Sequence, residues 1–270
     1  MWREVRRVIS AEWLKRRHSR GISVGPIIYT LILIVIYAGY EIAARESVIG
    51  IDTGFFVAGS ALAASTTPLA FLVALIVSYA IAREFSQGTI QLVWTRPIGR
   101  RGWLNGKTIF GVCEACAYVL LTVLVILVAA WLRLGFESLT EKAYVIHTQS
   151  ALWGHLMLAI GLTTLGLIAV IAVASIPALV MSSPGGALAA MIIAGFVMQI
   201  GGSWGVLQPY LLTTYISQPL EQFVAMSKGL PEPWKWSTLV RVCLIGSIVW
   251  GAAGWGVASV LATRKEITGS

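Results

Sequence analysis

The chain has 270 residues, 57% of them hydrophobic and 12% charged, with a mean hydropathy of +0.80. A soluble globular domain carries about 25% charged residues, so this composition argues against a water-soluble fold. It points instead to several bilayer spans of about 20 apolar residues, and the 27 glycines fit packed transmembrane helices.

Residues 2–20 hold seven Lys/Arg and two Glu, and residues 21–40 are uncharged. At about 100° per residue Trp2, Val5, Ile9 and Trp13 fall on one stripe, so residues 1–22 read as an amphipathic arm lying in the membrane interface. Its basic residues Arg3, Arg6, Arg7, Lys15, Arg16 and Arg17 read as contacts to lipid. The apolar run that follows is longer than a signal peptide's, so it is taken as a permanent first span, residues 23–43. A second span is expected at residues 60–82, and a polar connection, residues 83–107, carries five Lys/Arg against one Glu. Further spans are expected at residues 108–132, 151–181, 187–204 and 238–262. The fourth is long enough to need tilt or a bend at Pro177. Residues 205–237, interrupted by Pro209 and Pro219, read as a re-entrant or interfacial segment.

Placing both termini and residues 83–107 on one side gathers fourteen of the 20 Lys/Arg there. The positive-inside bias makes that side cytoplasmic, in the cell membrane. The net charge of +8 then has a topological cause, and nucleic acid is not an expected partner. Nine of the eleven tryptophans fall at or outside span ends, as an aromatic belt requires. The six spans use about half of the chain, and what is left is too short for a separate domain of about 100 residues. The expected fold is a single all-α polytopic membrane domain, residues 1–270.

Chemistry is sparse. Cys113 and Cys116 form a Cys-x-x-Cys pair, but only Cys243, His18, His147 and His155 remain, and no second ligand pair exists for a metal. Gly106-Lys107-Thr108 imitates the end of a phosphate-binding loop, yet Arg101 stands where that loop needs glycine and a span follows. No catalytic constellation, metal site or cofactor is expected. Glu114, about seven residues into the third span, reads first as a carboxylate at the positive end of a helix and second as a polar group on a translocation path.

The most informative stretch is residues 83–107, in which Glu84, Gly88, Thr89, Pro97, Arg100, Gly106 and Lys107 occur in order. It resembles the loop between the second and third spans of type 2 ABC transporter permeases, whose pattern is Glu, three residues, Gly-Thr, then Pro-x-x-Arg and a Gly-Lys entering the next span. The six spans, the arm and the segment before the last span agree with that family. The resemblance implies an N-terminal elbow helix and a coupling loop that docks on a separate ATPase subunit through Glu84, Gly88, Thr89, Arg96, Pro97, Arg100 and Lys107. It also implies a second permease copy or homologue and the membrane subunit of an ATP-driven exporter, itself not an enzyme. Three rivals stand beside it, of which an intramembrane enzyme acting on lipid would need convergent acids, His or Ser on inward faces. An ion-coupled secondary transporter would need intramembrane ion ligands, and a membrane sensor or scaffold would not transport.

Overall fold

The computed structural model describes residues 2–17, 21–46, 53–90, 99–141, 144–181, 183–202, 204, 207–231 and 233–265. Among them are eight α-helices: α1 (Trp2–Arg17), α2 (Gly21–Glu46), α3 (Gly54–Ser86), α4 (Arg100–Arg133), α5 (Gln149–Val180), α6 (Pro184–Gly202), α7 (Leu212–Ser227) and α8 (Trp236–Arg264). A hairpin of β1 (Leu139–Glu141) and β2 (Tyr144–His147) joins α4 to α5. Among the described residues α2 to α6 and α8 are six helices long and apolar enough to cross a membrane, and the chain is an all-α polytopic membrane protein.

Helices α3, α4 and α5 have 33, 34 and 32 residues. At 1.5 Å per residue each is roughly 50 Å long, against a hydrocarbon layer of about 30 Å. The expected span 60–82 marks the apolar middle of α3, and 108–132 marks α4 without its first two turns. Their ends reach into the basic connection, so residues 83–86 and 100–107 are helical. Local chemistry sets the starts. The Thr53 and Thr148 hydroxyls accept from the amides of Phe56 and Ala151 as N-caps of α3 and α5. Pro184 opens α6, where its missing N–H is not needed. Helix α5 runs unbroken through Pro177 in its last turn, and Met181 N–H closes on the Pro177 carbonyl at 2.8 Å.

Helix α5 is the axis of the bundle: 56% of its most apolar stretch is buried within the chain, against 11% for α6, which lies at the edge. Close approach of α8 to α5 depends on Gly254, where a Cβ would stand 2.9 Å from the Val173 nitrogen. At the end of the bundle near the hairpin, Phe55, Phe136 and Trp153 pack with ring centroids 4.7 to 5.2 Å apart. There the buried Glu41 of α2 accepts from Arg45 at 2.6 Å and Arg133 of α4 at 3.1 Å.

The segment before the last span holds a 3-10 turn, Gln208–Tyr210, followed by helix α7. Leu212, Tyr215, Ile216, Leu220, Phe223 and Met226 recur at helical spacing and are buried against the bundle. The buried Gln222 donates to the Trp234 carbonyl at 2.5 Å and accepts from its amide at 3.1 Å, fixing the approach to α8.

Candidate coupling site

The arm packs along the start of α4, and every fourth residue of its inner face meets that helix. Glu4 accepts from the Gly99 amide at 3.3 Å, Glu12 bonds Lys107 at 2.9 Å, and Arg16 ion-pairs with Glu114. Between these contacts Val8 lies on Gly106, where a Cβ would come within 2.6 Å of the valine Cβ, and a Cβ at Gly102 would strike the Glu4 carboxylate. The two glycines, four residues apart on one face of α4, thus form the groove that receives the arm.

Beneath this groove four charges close on one another. Glu84, in the last turn of α3, receives Lys107 at 2.8 Å and Lys15 on one oxygen and the Trp103 indole N–H at 2.9 Å on the other. Glu12 receives both lysines at 2.9 Å. The side chains of Lys107 and Glu84 are 4% and 7% exposed. Burying an ion costs several kcal/mol unless opposite charge and hydrogen bonds offset it, and here two carboxylates face two ammonium groups and an N–H donor. Burial works against the charge of Lys15, but hydrogen bonds and attraction from Glu84 and Glu12 outweigh it and hold its pKa above the usual lysine value. Trp103, expected in the belt, is fully buried with its ring edge-on to Phe85.

A second lashing joins the remaining helix ends. Arg100 donates to the Thr263 and Lys265 carbonyls at 2.7 and 3.0 Å, capping α8. Lys265 donates to the Leu179 carbonyl at 2.5 Å, at the end of α5, and lies 4.4 Å over the Phe85 ring. Burial lowers the pKa of Lys265 below the ordinary lysine range.

The residues singled out from sequence therefore divide. Glu84 and Lys107 face inward and join α1, α3 and α4. Gly88 takes a left-handed turn, φ +66°, after α3, and Thr89 donates to the Glu84 carbonyl at 3.3 Å. Arg100 holds α8. Arg96 and Pro97 lie outside the described residues.

The row by which the arm packs on α4 lies beside its apolar stripe. Val5 is buried and Ile9 half-buried, but Trp2 and Trp13 are 71% and 65% exposed. Glu4, Val8 and Glu12 turn inward instead, because two acids in a basic arm find donors on α4. Lys15 and Arg16, read as lipid contacts, form ion pairs within the chain, whereas Arg3, Arg6, Arg7 and Arg17 are exposed. The signal for this was present in the sequence as the spacing of Glu4 and Glu12.

Glu114 has a partner in Arg16, and the space beside it is about 20 Å³, room for about one water. Cys113 and Cys116 are exposed on α4, and no cluster of metal-ligating side chains occurs among the described residues.

A basic N-terminal helix bound to the third long apolar helix, six helices able to cross a bilayer and an amphipathic helix before the last of them define a polytopic membrane domain. The chain belongs to the ABC-2 family transporter proteins, whose family pattern matches residues 8–187, and is an ABC-2 type permease. Compared with curated proteins, it matches none.

Proposed function

We propose that the chain is the membrane subunit of an ATP-driven exporter, coupled through residues 87–99 to a separate ATPase. Two permeases, either two copies or this chain and a homologue, would enclose the substrate path. The basic end of the bundle, with both termini and this connection, faces the cytoplasm of the cell. The observation that carries this reading is the charge network, which fastens the connection's two flanking helices to each other and to the arm. A push on residues 87–99 is then delivered to α3 and α4 together, and through Arg100 and Lys265 to α5 and α8. That geometry suits rigid-body rocking of a bundle between inward- and outward-facing states. In this reading Glu84 and Lys107 position the docking surface, while Gly88, Thr89, Arg96 and Pro97 shape and present it.

The test is purification of the tagged chain in mild detergent, with the pair's ATP hydrolysis measured. The expected result is a co-purifying nucleotide-binding protein that is lost on Arg96→Glu with the fold intact. Undiminished association in that variant, or labelling of a cysteine at position 94 from outside intact cells, refutes the assignment.

A further inference from the structure

A cavity of about 370 Å³ lies between α3, α5, α6 and α7, away from the charge network. Its size is that of a small organic ligand's site. Its walls are apolar, built by Phe71, Val173 and Met198. One side is polar: Gln199, Thr213 and Ser217 line it, and their side chains make no hydrogen bond among the described residues. At this polar side stands Glu221, exposed, its carboxylate accepting from Gln218 at 3.0 Å.

Charge sets the character of this polar side. The chain carries a net +8, and the buried or half-buried carboxylates Glu12, Glu41, Glu84 and Glu114 each pair with Lys or Arg, whereas Glu221 stands exposed at the rim of this cavity. Among the described residues no basic side chain pairs with Glu221. A carboxylate without a counter-charge beside an apolar cavity, with amide and hydroxyl groups around it, is complementary to an organic cation with an apolar body. An anion of the same shape would be repelled.

We propose that this cavity binds lipophilic organic cations, with Glu221 as counter-ion and the walls of α3, α5 and α6 taking the apolar body. That such cations are the transported class rests on the exporter reading; the binding does not, and the test separates the two by using the permease without any ATPase.

The full chain is reconstituted in lipid nanodiscs and titrated with radiolabelled tetraphenylphosphonium, with tetraphenylborate as a ligand of nearly the same shape and opposite charge and with empty discs subtracted. The expected result is saturable binding of the cation about ten-fold tighter than of the anion, weakened about five-fold by Glu221→Gln, retained by Glu221→Asp, and lost on filling the cavity with Ala70→Phe. Glu221 is exposed, so Glu221→Gln needs no repacking and decides the matter even where Ala70→Phe does not fold. Discs with phosphatidylethanolamine distinguish sources: competition by this lipid marks a membrane amine as the natural occupant of the same site. Equal binding of cation and anion, or cation binding indifferent to Glu221→Gln, overturns the proposal. So does a Glu221→Gln variant whose ratio of monomer to dimer shifts while probe binding stays, which would assign Glu221 to an interface between copies.

Discussion

Replacing Lys107 by methionine keeps most of the side-chain volume and removes one charge from the network. Glu12 and Glu84, each bonded to Lys107 within 2.9 Å, are left sharing Lys15, and the cluster passes from neutral to a charge of minus one. Lys15 cannot replace the lost ion, since its side chain is 57% exposed and its attraction is screened by solvent. Removing one partner of a buried pair costs about 3–5 kcal/mol, most of it from the carboxylate left uncompensated at Glu84. At roughly 2–4 °C per kcal/mol for a chain of this size, the midpoint of thermal unfolding should fall by about 10 °C. The assay is a tryptophan-fluorescence melt in nanodiscs, with Arg3→Met as a control for loss of an exposed charge. Adding Glu84→Gln should recover a large share of the loss, because Glu12 and Lys15 then balance and the glutamine still accepts from Trp103; the pair should couple by about 1–3 kcal/mol. If Lys107→Met melts with the Arg3→Met control, or the two substitutions simply add, the network is not what joins α1, α3 and α4.

Gly106→Leu would displace the arm from its groove, since even a Cβ there meets Val8 at 2.6 Å; limited trypsin digestion should cut at Arg16 and Arg17 several-fold faster, and an unchanged rate would contradict the packing. Lys15 gives a pH signature. Its pKa is raised above 10.5 in the folded chain, so its stabilising contribution is fully present below that value and disappears only as pH rises through the folded-state pKa. Arm protection from trypsin, assayed at neutral pH after alkaline incubation and rapid crosslinking, should therefore be flat to about pH 10 and fall beyond it, and Lys15→Met should blunt that fall. Arg100→Ala removes bonds of 2.7 and 3.0 Å to the end of α8, worth about 1–3 kcal/mol together. Cleavage after Arg264 should quicken, measured by the mass of the shortened chain, while the melting midpoint moves by only a few degrees.

The fold was legible because lipid enforces a simple rule: every crossing segment must satisfy its backbone internally, so uninterrupted apolar runs are helices. Hydropathy marks where such a run is apolar but not where its helix stops. For that reason α3 and α4 extend past their apolar stretches into what reads as a loop. The helix α7 was half-legible: Pro209 and Pro219 speak against a clean span, but the face of Leu212, Tyr215, Ile216 and Phe223 shows only once α3 and α5 are there to receive it. The candidate site was legible as a string of residues and not as a geometry. Nothing in the order Glu84, Gly88, Thr89, Lys107 tells which side chains turn inward, because Lys15 lies 69 residues before Glu84 and Glu12 lies 95 residues before Lys107.

That inward turn bears on how the motif should be understood. A charged residue that makes a docking contact contributes little when the contact is solvent-exposed, about 0–1 kcal/mol, and it can be exchanged for others. A charge inside a buried network is constrained by each of its partners, and its loss is felt by every helix that supplies one. Glu84, Lys107, Glu12 and Lys15 come from α3, α4 and α1, so a force on the turn at Gly88 meets a joint held by opposed charges instead of three helix ends that could slip separately. Gly106 belongs to the same device: it is small so that Val8 can approach, and Val8 brings Glu12 to Lys107 one turn further on. The Gly-Lys pair that imitates a phosphate-binding loop is thus two consecutive requirements of one packing contact, close approach and then counter-charge.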